Sequence, residues 1–84
     1  MFAPALTLEQ LAPRIAAQIA TIDWDRLAEP EARRLRELGF DEGVSVEMLH
    51  RATLWGGPVA CRIGRMTVAL RRPVAAAIRV TQTG

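Results

Sequence analysis

The stretch Arg34-Leu35-Arg36-Glu37-Leu38-Gly39-Phe40-Asp41-Glu42-Gly43-Val44-Ser45-Val46-Glu47 changes its period in the middle. Before Gly39 the apolar residues recur at helical spacing, as Ala32, Leu35 and Leu38. After Gly43 they alternate, as Val44, Val46 and Met48, which is strand spacing. The upstream half predicts a helix over Pro30–Leu38. Pro30 suits the first helical position, Glu29 and Glu31 favour its positive end, and Arg33, Arg34 and Arg36 lie toward its negative end. Gly39 fits the left-handed position past the last turn, where Phe40 can fold back in a Schellman-type contact. Asp41-Glu42-Gly43 then reads as a turn into strand.

Downstream the period of two continues. Val59, Cys61 and Ile63 alternate with Ala60 and Arg62; Met66, Val68 and Leu70 alternate with Thr67, Ala69 and Arg71. Trp55-Gly56-Gly57-Pro58 and Gly64-Arg65 separate three such strands, which predicts an antiparallel meander. Pro73 opens a short helical turn through Ala77, and Ile78-Arg79-Val80 reads as a closing strand. Upstream, Phe2–Leu8 is an apolar lead-in, and Thr7 with Gln10 forms a capping box that Pro13 ends. Ile15, Ile19 and Ile22 would permit a helix by spacing, but the β-branched run Ile19-Ala20-Thr21-Ile22 favours a strand there. The expected fold is mainly β with short helices. It is a small, partly open, five-stranded antiparallel β-barrel with one helix inserted after the first strand, closing on itself to hide its edges.

The chain has 84 residues, enough for one small domain over 1–84. Half of the residues are hydrophobic but 14 of those are Ala, so the core is thin. Cys61 is the only cysteine, which excludes an internal disulfide and a cysteine metal cage. With one His, no Tyr and no Lys, few groups titrate near neutrality, which argues for a binding module over an enzyme. Ser45 and Cys61 lack a base with its orienting partner, and no Lys exists to complete a phosphate-binding loop. All eleven cations are Arg. Residues 1–43 carry five against eight acids, a net −3; residues 44–84 carry six against Glu47, a net +5. Such asymmetry can mark an anionic partner surface, though the Arg are dispersed along strands, so no nucleic acid is expected. Uncharged stretches such as Phe2–Leu8 and Ile15–Ile22 fall far short of the ~20 residues of a membrane span. No basic residue precedes Arg14, so no secretory signal is expected and the location expected is cytoplasmic.

The run Arg34 to Gly43, followed by Val44-Ser45-Val46-Glu47, resembles the leucine-glycine helix stop and strand entry of the FeoA family. Gly56-Gly57-Pro58-Val59, Gly64 and Val68-Ala69-Leu70-Arg71-Arg72 continue the likeness, as do Pro73 to Ile78 and Ile78-Arg79-Val80. It covers about residues 32–80, and more loosely Thr7 to Ile22. The resemblance implies an SH3-like barrel that assists a FeoB-type ferrous iron permease from the cytoplasm. The same module recurs in metal-dependent repressors; no DNA-binding part precedes it in this sequence, so the transport role is the one expected. One departure stands out. Family members commonly carry Gly after the proline matching Pro13, where this chain has Arg14.

Trp55 lies in a hairpin loop beside Gly56 and Gly57, with Leu54 adding apolar area, and a large aromatic at such a tip can anchor an interface. Arg62, Arg65, Arg71 and Arg72 could meet an acidic partner surface through bidentate contacts. These eight residues are the expected partner-binding set. Trp24 is expected to cap the core. His50 falls on the apolar face with Val46 and Met48 by alternation, or at the strand end if pairing has already broken. A transition-metal site needs three or four converging ligands, so His50 with Glu47 or Asp41 would hold at most an adventitious divalent ion. No resident cofactor is expected. Cys61 reads as a small buried hydrophobe.

Overall fold

The backbone N–H and C=O groups of a strand need partners alongside it, and the chain supplies them by folding strands back on one another. The computed structural model describes residues 6–52 and 57–83. Strands β1 (Leu6–Thr7), β2 (Ala16–Ile22), β3 (Ser45–Arg51), β4 (Val59–Ile63), β5 (Met66–Leu70) and β6 (Ile78–Gln82) form one sheet in the order β1-β6-β2-β3-β4-β5. Every neighbouring pair is antiparallel. The sheet is open, with β1 and β5 at its edges. Among the described residues it has six strands where five were expected. The extra one, β1, is two residues long and pairs Leu6 with Val80, too short a piece to show any period.

Helix α1 (Glu29–Leu38) enters between β2 and β3, one residue longer than expected at its start. The Ala28 N–H donates to the Glu31 carboxylate at 3.4 Å, half of a capping box, since Ala28 has no side-chain acceptor to return. At the other end Gly39 sits at φ +95°, Phe40 N–H reaches Leu35 O at 2.9 Å and Gly39 N–H reaches Arg36 O at 3.1 Å. That is the double bond of a Schellman motif, and it delivers Phe40 into the core, 2% exposed. Leu8, Leu11, Ile19, Leu35, Met48, Val59, Cys61, Leu70 and Ile78 belong to the same core cluster, all essentially fully buried.

Two bulges set which side chains face inward. The β2–β6 register shifts between Ile19 and Thr21, so the buried positions of β2 run Ala17, Ile19, Ile22. A spacing of three therefore lies within a strand. The β3–β4 register shifts between Met48 and His50, and the extra residue turns His50 outward to solvent. Alternation across Val46 and Met48 would place His50 inside unless the pairing had already broken by then; the bulge breaks that alternation and leaves it exposed. Met66, expected inside with Val68 and Leu70, is 44% exposed, because the turn end of edge strand β5 runs past the core. Helix α2 (Arg72–Ala76) buries Val74 and Ala75 before β6 begins.

Candidate functional site

One end of the sheet is organised by two arginines on either side of the segment joining β3 to β4. The Thr7–Gln10 pair forms the expected reciprocal bonds: Thr7 N–H donates to Gln10 Oε1 at 3.1 Å, and Gln10 N–H to Thr7 Oγ1 at 3.3 Å. The turn so built leaves main-chain oxygens aimed at β3. Arg51, the last residue of β3, donates from Nε to Glu9 O at 2.7 Å and from Nη2 to Leu11 O at 2.8 Å. Arg72, at the start of α2, lies 3.6 Å from the Glu9 carboxylate and donates from Nε to Gly57 O at 3.4 Å. Ala52 N–H donates to Pro58 O at 2.9 Å and closes the base of the connection. Glu9 therefore meets Arg51 through its backbone and Arg72 through its side chain.

Of the expected partner-binding residues, Gly57 and Arg72 belong to this cluster. Leu54, Trp55 and Gly56 lie outside the described residues. Arg71 is 74% exposed and pairs with Glu31 at 2.7 Å. Arg62 and Arg65 sit at the opposite end of the β4–β5 hairpin, about one strand length (roughly 16 Å) away. The four arginines thus do not form one patch. Arg62 faces solvent across from Glu47 on β3, beside a recess of about 250 Å³ that also touches Ala16, Gly64 and Thr83.

The weak metal candidates are not brought together. His50 is exposed on β3, Glu47 lies in the recess by Arg62, and the Asp41 carboxylate accepts the Glu42 N–H at 2.7 Å in the turn after α1. Among the described residues no three His, Cys, Asp or Glu side chains converge. Cys61 is buried in the core, and that burial pushes its thiol from 9.0 up to about 11. No helix of the described residues is long and apolar enough to cross a membrane.

Sequence reasoning missed the roles of Arg51 and Glu9, because their link spans 42 positions and rests on main-chain oxygens. It also missed that the Arg36 guanidinium lies over the Trp24 ring, 4.5 Å from its centre, while Trp24 packs on the core as expected.

The FeoA domain pattern matches residues 6–82. Among solved structures, FeoA from Stenotrophomonas maltophilia complexed with zinc, described as an SH3 domain protein, is 32% identical with a TM-score of 0.77; the match covers 92% of this chain and 91% of that one. Iron(II) transport protein A from Clostridium thermocellum is 28% identical with a TM-score of 0.79, over 92% of this chain but only 45% of that one. A manganese-dependent transcriptional repressor shares the fold at 24% identity and a TM-score of 0.82, over 99% of this chain and 44% of its own. No curated protein sequence matches the chain significantly. The mainly β, partly open architecture read from the strand pattern, and the SH3-like fold that the resemblance implied, agree with what is found. With the family pattern running from β1 to the end of β6, the chain belongs to the FeoA domain family, which is associated with ferrous iron transport.

Proposed function

We propose that this chain is a non-catalytic accessory protein of ferrous iron uptake that docks on the cytoplasmic side of a FeoB-type permease and modulates it. The observation that carries the reading is the match to the FeoA domain along residues 6–82. Two features of the molecule support it. The end of β3 is fastened to the N-terminal turn by Arg51, and the described residues that lead into β4 are tied by the Arg72–Gly57 and Ala52–Pro58 bonds, so this end of the sheet is pre-organised for a partner. The β4–β5 hairpin presents Arg62 and Arg65 on solvent-facing positions, and neither forms an ion pair among the described residues. A docking protein of this kind acts by binding one conformation of its target more tightly than another, a coupling of about 1–3 kcal/mol. It needs no resident cofactor.

The test is capture of the purified permease, whole and as its cytosolic domain, by the immobilised chain. Docking gives capture that Leu54→Ala with Trp55→Ala weakens at least tenfold in a variant of unchanged stability. Absence of capture by either form removes the reading. A second reading, a module of metal-dependent regulation, is favoured by the repressor that shares the fold. It predicts calorimetric binding of Mn(II) or Fe(II), and DNA binding that falls steeply with salt.

A further inference from the structure

We propose that the free edge of β5 captures an extended segment of a partner protein whose short uncharged middle is flanked by acidic residues. Among the described residues, strand order leaves β5 unpaired on its outer side. Natural edges are blunted by extreme shortness, a central charge, a proline or a bulge. The edge at β1 is only two residues long, but Met66-Thr67-Val68-Ala69-Leu70 has five residues, no charge, no proline and no register shift against β4.

The outward backbone groups follow from the turn. Gly64 at φ +59° followed by Arg65 at negative φ matches a two-residue type II′ hairpin loop, which makes Ile63 and Met66 a hydrogen-bonded pair. Alternation along the ladder then leaves the N–H and C=O of Thr67 and Ala69 pointing away from β4. These four groups are the template for one more strand.

Charge selects the occupant. Arg65 stands at one end of the edge and Arg71 at the other. In a second copy paired antiparallel about Val68, Arg65 of one chain would lie opposite Arg71 of the other at both ends, and directly opposed like charges are destabilising. The edge therefore disfavours a second copy. An acidic residue at each end of the incoming strand would meet Arg65 on one side and Arg71 on the other. Arg71 already holds Glu31, yet it is largely exposed and keeps further guanidinium donors. A notch of about 70 Å³ beside it, lined by Leu35, Leu70, Val74, Arg34, Glu31 and Arg71, is sized for a small apolar side chain.

The inference rests on the docking reading only for which protein supplies the segment. Strand capture is tested with a synthetic peptide, so the two can fail separately. Isotope-labelled protein is titrated with a capped peptide, Glu-Glu-Val-Thr-Val-Thr-Val-Glu-Glu, and with its Lys-flanked counterpart. The expected result is a shift of the Thr67 and Ala69 amides, slowed exchange of those two protons, and binding at least tenfold tighter for the acidic peptide. Ala69→Pro removes an outward N–H while sparing the ladder to β4, and it should weaken binding at least tenfold. Should that variant unfold, Arg65→Glu serves instead, and it should shift preference at least tenfold toward the Lys-flanked peptide. Shifts confined to another face, equal binding of the two peptides, or self-association of the protein through β5 would each overturn the proposal.

Discussion

The guanidinium of Arg51 donates to the carbonyl oxygens of Glu9 and Leu11, fastening the end of β3 to the N-terminal turn. Removing it strands those carbonyls at a half-buried position. Hydrogen bonds to a charged group are worth about 1.5–3 kcal/mol. Arg51→Ala is therefore expected to cost about 2–3 kcal/mol, seen as a fall of roughly 10–20 °C in Tm for a domain this small. Arg51→Lys keeps the charge but not the fork, so it should recover only part of the loss. Full recovery by Lys would mean that charge alone, not geometry, holds the turn.

Cys61 gives the protein an unusual alkaline limit. Burial raises its thiol from 9.0 to about 11, and the chain has neither Tyr nor Lys to titrate in that window. The sign follows from proton binding. Between these values the unfolded chain has lost the thiol proton while the folded chain keeps it, so stability is full below pH 9 and falls up to about pH 11. Two pK units correspond to about 2–3 kcal/mol. Urea denaturation at pH 8 and at pH 10.5 should differ by about that order, and Cys61→Ala should flatten the difference even though it lowers stability at both.

Arg14 occupies the left-handed region at φ +63°, with its N–H donated to Met48 O at 2.7 Å. This is the position where the family resemblance had led us to expect glycine, and the backbone shows why. A side chain in that region costs about 1–2 kcal/mol. Glycine would relieve it but give back about 0.4–1 kcal/mol through a freer unfolded chain. Arg14→Gly is expected to stabilise the protein by about 0.5–1 kcal/mol in chemical denaturation. Arg14→Ala, which keeps the strain, should bring no gain.

What was legible from sequence divides along physical lines. The helix with its Gly39 stop, the buried row Val59-Cys61-Ile63 and the Thr7–Gln10 pair were all readable, because each depends on neighbours within four residues or on an unbroken period. The bulges were not. An inserted residue in β2 put buried positions three apart and imitated a helix through Ile19 and Ile22; another in β3 turned His50 outward. The cluster around Glu9 was hidden for a different reason. Arg51 joins β3 to the N-terminal turn through main-chain oxygens, which carry no residue identity, and the Glu9–Arg72 pair spans more than sixty positions. Likewise the four arginines looked like one group along the sequence, but a five-residue strand separates them into two.

That separation predicts unequal roles in docking. Arg71 already has Glu31 at 2.7 Å, while Arg65 makes no ion pair among the described residues. An exposed pair contributes about 0–1 kcal/mol, and its cation is partly neutralised before any partner arrives. Arg65 offers its whole charge to an approaching acidic surface. In the capture assay with the permease, Arg65→Ala is expected to slow association several-fold at low salt, with little change in Tm. The effect should shrink above about 0.3 M salt, where screening acts within a few ångströms. Arg71→Ala should have the smaller effect on association. If the order is reversed, the cationic end that meets the partner is the one beside α1, and the contact surface moves with it.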